Sequence, residues 1–294
     1  MDLVLHRMSA AGNAFYLAVG RSLPLAHAEE LAQVLSRGDA LWPLDDASPP
    51  DLSDGLIFGL LAGGGAPPRQ IMHNPDGSRG HCANGVRCLA WLLAAGSALP
   101  TPPRILTDDG EIPVTVDGDR VEAALGPLRT LAGWTPPDQL AEIVLNGETL
   151  RGYPAYVGNP QFVLFGDVSL EARLATVGAA LQTHPRFPDG VNVEFVFEDP
   201  AAPEGEDGWR VRVWERGVGE TLSCGTGALA VAAVGPRGLA RGAARPLRYP
   251  GGTLTVRRSH DDRLHLSGEV QHEGRYALAP ELAARIADGV GGQT

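Results

Sequence analysis

The sequence contains no lysine; all 24 of its basic residues are arginine. A pyridoxal-phosphate enzyme needs a lysine amine for its internal Schiff base, and a Walker-type NTPase needs the lysine of its phosphate loop. Both classes are excluded. Cysteine is scarce too, with three in 294 residues. An odd, low count makes no disulfide framework and points to a reducing compartment, the cytoplasm. Long apolar runs are missing: those at 89–95 and 228–234 suit buried helices and fall far short of a membrane span. The start, Met1-Asp2-Leu3-Val4-Leu5-His6, has neither the basic head nor the apolar stretch of a signal peptide. Net positive charge is also absent. A formal charge of −11 argues against nucleic acid as the main partner, because phosphate binding needs clustered cations.

What is present describes a folded chain. Hydrophobic residues make up 44% and charges are dispersed, as in ordinary globular domains, and the length suits two modest domains or one large one. Pro/Gly-rich stretches at 47–54, 63–68, 98–103, 133–137 and 199–208 punctuate many short segments that read as strands. Residues 112–116 and 120–125 flank Asp117-Gly118 with the alternation and turn chemistry of a hairpin. The runs 191–197, 209–214, 253–257 and 263–267 alternate similarly. Helical patterns are fewer, at 25–37, 86–95, 170–181, 227–234 and 280–287. Strand runs interrupted by single helices predict an α+β protein. Two pseudo-symmetric domains are expected, each with mainly antiparallel strands around one central helix. Residues 1–126 form the first, with the segment from about 271 to 294 as a candidate to return to it, and residues 127–270 form the second.

Two stretches repeat each other, one in each half, and each carries a cysteine. Cys82-Ala83-Asn84-Gly85 opens an apolar run closed by Gly96; Cys224-Gly225-Thr226-Gly227 opens one closed by Gly235. A thiol just ahead of a helix meets unpaired amides and the positive end of the macrodipole, which lower its pKa. Asn84-Gly85 and Thr226-Gly227 allow a tight turn whose amides face one point, a seat for an anion. A carboxylate held there would bring its α-carbon to the sulfur, and the amides would stabilise the enolate-like charge left when the α-proton departs. If Cys82 and Cys224 flank one carbon, a thiolate removes a proton and a thiol supplies one to the opposite face. Such a pair inverts a stereocentre without a cofactor. Cys88, inside the helical run, reads as core. No metal site is expected, since Cys82 and Cys88 lack the usual ligand spacing and Cys224 has no second ligand near it in sequence.

At these residues the sequence resembles the diaminopimelate epimerase family, cofactor-independent two-thiol enzymes of lysine and peptidoglycan-precursor synthesis. Gly12-Asn13, Asn74-Pro75-Asp76-Gly77-Ser78 and the block from Cys82 to Cys88 are similar to the family's first-half motifs. Gly158-Asn159-Pro160, the run from Pro188 to Val193, the segment Glu215-Arg216-Gly217-Val218-Gly219-Glu220-Thr221 and the second cysteine block are similar to those of the second half. The resemblance implies Cys82 and Cys224 as the acid–base pair. It implies the amides of Asn84, Gly225 and Thr226 on the reacting carboxylate, and Asn74, Asn159, Asn192 and Arg216 on the distal end of the substrate. Glu215 would serve the amino group or the local network, and Asn13 and Ala83 fall in substrate-binding motifs. A small-molecule amino-acid substrate, no cofactor, no membrane and a homodimer follow from the same resemblance. Ala14, Ala83 and Gln161 stand where the family usually has Asp, Gly and His. Ala83 would crowd the carboxylate if its backbone needed a positive φ. The alternatives are therefore a racemase of another amino acid on the same scaffold, or a catalytically silent amino-acid-binding homologue.

Overall fold

The computed structural model describes residues 3–38, 40–45, 52–201 and 208–290. Met1 and Asp2, parts of the Pro/Gly-rich stretches at 47–51 and 202–207, and the terminal residues 291–294 lie outside the described residues. The chain divides into two compact units, Met1–Ala123 with Glu269–Thr294, and Ala124–Gly268. Among the described residues no helix is long and apolar enough to cross a membrane.

The first unit opens with a hairpin of β1 (Val4–Ala10) and β2 (Asn13–Gly20). Its two-residue turn takes Ala11 and Gly12 to φ of 51° and 86°, the geometry that matches strand twist. After α1 (Ala28–Leu35) come β3 (Leu41–Pro43), β4 (Leu56–Leu60), β5 (Arg69–His73) and the short β6 (Arg79–Gly80). Helix α2 (Ala83–Ala95) follows, and β7 (Arg104–Thr107), β8 (Gly110–Asp117) and β9 (Arg120–Gly126) complete this part. The β8–β9 hairpin turns at Gly118 and Asp119, with Asp117 opposite Arg120. Ala28, Leu31, Ala32 and Leu35 of α1 are buried, the stripe of an amphipathic helix, and join Leu5, Tyr16 and Phe58 in one core.

The second unit holds β10 (Ala141–Leu145), β11 (Glu148–Val157) and β12 (Asn159–Phe165), then α3 (Val168–Glu171) and α4 (Leu174–Gln182). Next come β13 (Asn192–Glu198), β14 (Trp209–Glu215), β15 (Gly219–Thr221), α5 (Gly225–Ala233), β16 (Ala244–Tyr249), β17 (Gly252–Arg258) and β18 (Leu264–Glu269). The single helix expected over 170–181 is two. Asp167 caps α3 by accepting the amides of Ser169 and Leu170, so helix begins earlier, and Arg173 leaves the helical region at φ −108° and ψ 8°. The Arg173 guanidinium grips Glu148. The alternation expected along 191–197 is also absent. Every residue of β13 from Asn192 to Phe197 is buried, because α4 covers one face of this strand and α5 the other.

The chain then returns to the first unit as β19 (Gln271–Leu278), antiparallel to β1 with Leu5 opposite Tyr276, and ends in α6 (Pro280–Val290). With β19 in place the two units share one topology. In the first, the order β19–β1–β2–β4–β5–β7–β8–β9 has parallel pairs at β2/β4 and β5/β7. In the second, the order β10–β11–β12–β13–β14–β16–β17–β18 has parallel pairs at β12/β13 and β14/β16. Each sheet wraps one helix: α2 packs on β1, β2, β4, β7 and β8, and α5 on β11, β12, β13, β16 and β17. Both helices enter their sheets between the same two positions, after β5 or β14 and before β7 or β16. This is the α+β architecture of strands around a central helix.

Candidate active site

Cys82 is the N-cap of α2. Its extended backbone (φ −143°) precedes the first helical turn, and its Sγ accepts the Gly85 amide at 3.4 Å. Gly85 packs closely on β4, and a Cβ there would lie 2.6 Å from Ile57 Cδ1. Ala83 is the first helical residue and is not among the positive-φ residues. Its methyl group therefore does not bring the crowding that a left-handed backbone would cause. Asn84 is wholly buried; its Nδ2 donates to Asn13 Oδ1 at 2.6 Å and its Oδ1 accepts Arg87 Nη2 at 2.7 Å. Asp54, just ahead of β4, accepts the Ala14 amide at 2.7 Å. Burial pushes the Asp54 carboxyl up, against the hydrogen bonds from Ala14 and the Asn13 side chain.

Arg87 is fully buried, and burial pulls its guanidinium down to about 10. Its charge lies in the electrostatic surroundings of Cys82. Asn74 holds the β5–β6 turn through Ser78, to whose Oγ its Nδ2 donates at 3.0 Å, and packs beside Gly80, two residues ahead of Cys82. Cys88 is buried, and desolvation raises its thiol to about 12.

In the second unit Cys224 takes the same place. It caps α5 at φ −130°, and its Sγ accepts the Gly227 amide at 3.3 Å. Gly225 and Thr226 form the first turn, and the Thr226 hydroxyl lies 3.4 Å from Cys224 Sγ. Asn192, at the start of β13, turns its Nδ2 toward Cys224 Sγ at 4.0 Å and accepts the Arg216 amide on Oδ1 at 2.8 Å. Glu215 ends β14, with the Thr221 hydroxyl donating to its Oε1 at 2.5 Å. The exposed Arg216 donates through Nη1 to the Asp189 carbonyl at 2.8 Å. Asn159, half-buried after Gly158 (φ 71°), opens β12 two residues ahead of Gln161.

The helix mouth does not leave Cys224 with the lowered pKa its N-cap position suggests. Burial raises its thiol well above the ordinary value, and the charges of Glu215 and Glu194 raise it further, outweighing the Thr226 hydroxyl and the Gly227 amide. Glu194 is fully buried in β13 and accepts the Tyr249 hydroxyl on Oε2 at 3.2 Å. Sequence reading passed over Glu194 and Tyr249, although a single acid inside Asn192-Val193-Glu194-Phe195-Val196-Phe197 was the available signal. Gln161, noted only as a departure from the family pattern, is wholly buried and donates to Thr226 Oγ1 at 3.1 Å. Among the described residues no group of three or more His, Cys, Asp or Glu is placed to hold a metal ion.

The fold is that of a hydroxyproline epimerase from Agrobacterium vitis, solved with bound trans-4-hydroxy-L-proline. The two agree at a TM-score of 0.62 and 19% sequence identity, over 96% of this chain and 94% of that one. On this scaffold a cysteine stands at the mouth of each central helix. Residues 153–273 match the sequence profile of the diaminopimelate epimerase family. The diaminopimelate epimerase of Moorella thermoacetica is 38% identical, over 62% of this chain and 68% of that protein. That of Nostoc punctiforme is 30% identical, over 92% of this chain and 98% of that protein. The chain belongs to the diaminopimelate epimerase family.

Proposed function

We propose that this chain interconverts LL- and meso-diaminopimelate by a two-thiol acid–base mechanism that calls for no cofactor. The observation that carries the reading is the doubled N-cap: Cys82 and Cys224 each accept the amide of the third helical residue, on two helices with the same topological position. One cysteine as thiolate takes the α-proton and the other as thiol returns one to the opposite face. The amides of Asn84, Gly225 and Thr226 hold the reacting carboxylate and stabilise the charge that develops on it. Family membership supports diaminopimelate as the substrate. So does Arg216, whose guanidinium has no carboxylate partner among the described residues and suits a distal carboxylate. Asn74, Asn159 and Asn192 complete the grip on the distal end, and Glu215 serves the amino group or its network. Asn13 positions Asn84 through the Nδ2–Oδ1 hydrogen bond.

Inversion of another amino acid is a second reading, and Gln161 is the observation that favours it, because it touches the Thr226 turn itself. Ala14 and Ala83 weigh less: the first contributes its amide to Asp54, and the second has ordinary helical backbone. The proposal includes the cytoplasm, where thiols stay reduced, and a homodimer, which sedimentation at micromolar concentration tests. The deciding experiment is incubation of the purified protein in heavy water with candidate amino acids. Deuterium entering the α-position of diaminopimelate is the expected result. Exchange into a different amino acid, with none into diaminopimelate, overturns the substrate; exchange into nothing, with ligand binding unchanged in Cys82→Ala and Cys224→Ala, indicates a silent binding protein.

A further inference from the structure

The two units match strand for strand, yet the residue beneath the two helix mouths differs. A Cβ placed on Gly85 would meet Ile57 of β4; one placed on Gly227 would run into the Glu194 Oε1 of β13. Since β4 and β13 hold the same place in their sheets, one helix mouth meets Ile57 and the Gln70 amide and the other a carboxyl group. The glycine at 227 is what gives that carboxyl room. Among the described residues Glu194 has no cation beside it to account for its burial; the polar and titratable groups that face it are Tyr249 from β16, Cys224 from the α5 cap and Glu215 from the end of β14. A buried carboxyl without a counter-ion is held neutral or shares its charge with a neighbour.

We propose that Glu194 is a positioning residue for Cys224, the two groups holding one negative charge between them. Cys224 is then a thiol while Glu194 is ionised, and becomes a thiolate as Glu194 takes up a proton. The exchange moves one proton from Sγ to a carboxylate oxygen, and the net charge of the pair is unchanged. Direction and cause agree with this on both sides. Burial and then Glu215 raise the Glu194 carboxyl, while Tyr249 and the Cys224 thiol, as donors, favour its ionised form. Groups coupled this tightly titrate as a pair. Tyr249 is raised as well, by burial first and then by Glu194, so it stays a hydroxyl and a donor. Cys82 stands in other surroundings, with the Arg87 charge near it and Ile57 and Gln70 packed at its helix mouth. The control proposed for Glu194 concerns Cys224.

The inference rests on the epimerase reading only for the use made of the thiols, and its test needs no substrate. Alkylation of the full-length protein by iodoacetamide is followed against pH at Cys82 and Cys224 separately, by peptide mass spectrometry. Glu194→Gln keeps the size of the side chain and an acceptor for Tyr249 but removes the charge. The Cys224 midpoint is expected to fall by a unit or more, so that its rate near neutral pH rises about tenfold or more. The Cys82 midpoint is expected to stay where it was, and Glu194→Asp to keep the parent's Cys224 profile. An unmoved Cys224 profile in folded Glu194→Gln, an equal displacement at Cys82, or a Glu194→Asp profile displaced as far as the Gln one overturns the proposal. Should Glu194→Gln fail to fold, Cys224→Ser decides. Linkage then requires Glu194 to ionise at lower pH, seen in the protonated-carboxyl band of infrared difference spectra against the parent. An unchanged band overturns the proposal. Failure of deuterium exchange into diaminopimelate would remove the substrate and leave this coupling untouched.

Discussion

Gln161 Nε2 donates to the Thr226 hydroxyl at 3.1 Å, and that hydroxyl lies 3.4 Å from Cys224 Sγ. A strand residue of β12 thus holds the first polar side chain after the Cys224 cap. Replacing Gln161 with methionine keeps the volume and removes the donor. Turnover in the exchange assay is expected to fall about tenfold, with folding stability held within about 1 kcal/mol, the usual net worth of one hydrogen bond. Parallel measurement of kcat and urea midpoint checks both; undiminished kcat would show that Thr226 needs no support.

Arg216 presents its guanidinium at the surface of the second unit, tethered by one carbonyl contact to Asp189. Arg216→Met is expected to raise KM for diaminopimelate about 10- to 100-fold, the loss of a charge-assisted bond to the distal carboxylate. The alkylation profile of Cys224 should not change. A KM equal to the parent's would take Arg216 out of the binding site.

The Asn13–Asn84–Arg87 chain of hydrogen bonds is a stability element. Asn84→Ala leaves the buried Arg87 guanidinium without its 2.7 Å acceptor and should cost about 2 kcal/mol. Denaturant unfolding measures it. Asn84→Asp should lose less stability, because it keeps an acceptor and adds a negative charge for the arginine; a larger loss than in the alanine variant would contradict this account.

His6 faces His272 across the β1–β19 pair at 3.0 Å, and His272 stacks on Trp91. Burial, then His272 and Arg275, push His6 down from 6.5 to about 4. A histidine lowered on folding binds protons more weakly in the native state, so protonation favours the unfolded chain. The stability it contributes is complete above pH 6.5 and is lost as pH falls toward 4. His6→Gln should flatten that acid limb relative to the parent. Urea midpoints at neutral pH and at about pH 5 compare the two; parallel acid limbs would rule His6 out as a source.

The cysteine caps were legible because capping is local: a cysteine, two residues and a glycine contain the whole turn, and the sequence states it twice. The hairpin at 117–120 was legible for the same reason, through its turn residues; the one at 10–13, which turns on Ala11 and Gly12, was not read. The electrostatic state of Cys224 was not. It depends on Glu194 and Glu215, which β13 and β14 deliver from separate parts of the chain, and the local amide argument gave the opposite sign. Glu194 itself escaped because a strand covered on both faces has no period to break. The helix over 170–181 was read as continuous because its apolar pattern runs through Arg173, where the backbone leaves the helical region.

The strand order of the first unit has a consequence for synthesis. β1 and β2 are made before the other strands, but β19, the outer partner of β1, which sets Tyr276 opposite Leu5, is made after every strand of the second unit. Translation therefore finishes the second thiol's scaffold before the first one's sheet can close. A chain released ahead of β19 would carry both cysteines and an open strand edge beside β1, which is the kind of edge that cellular quality control can recognise and that other chains can pair with.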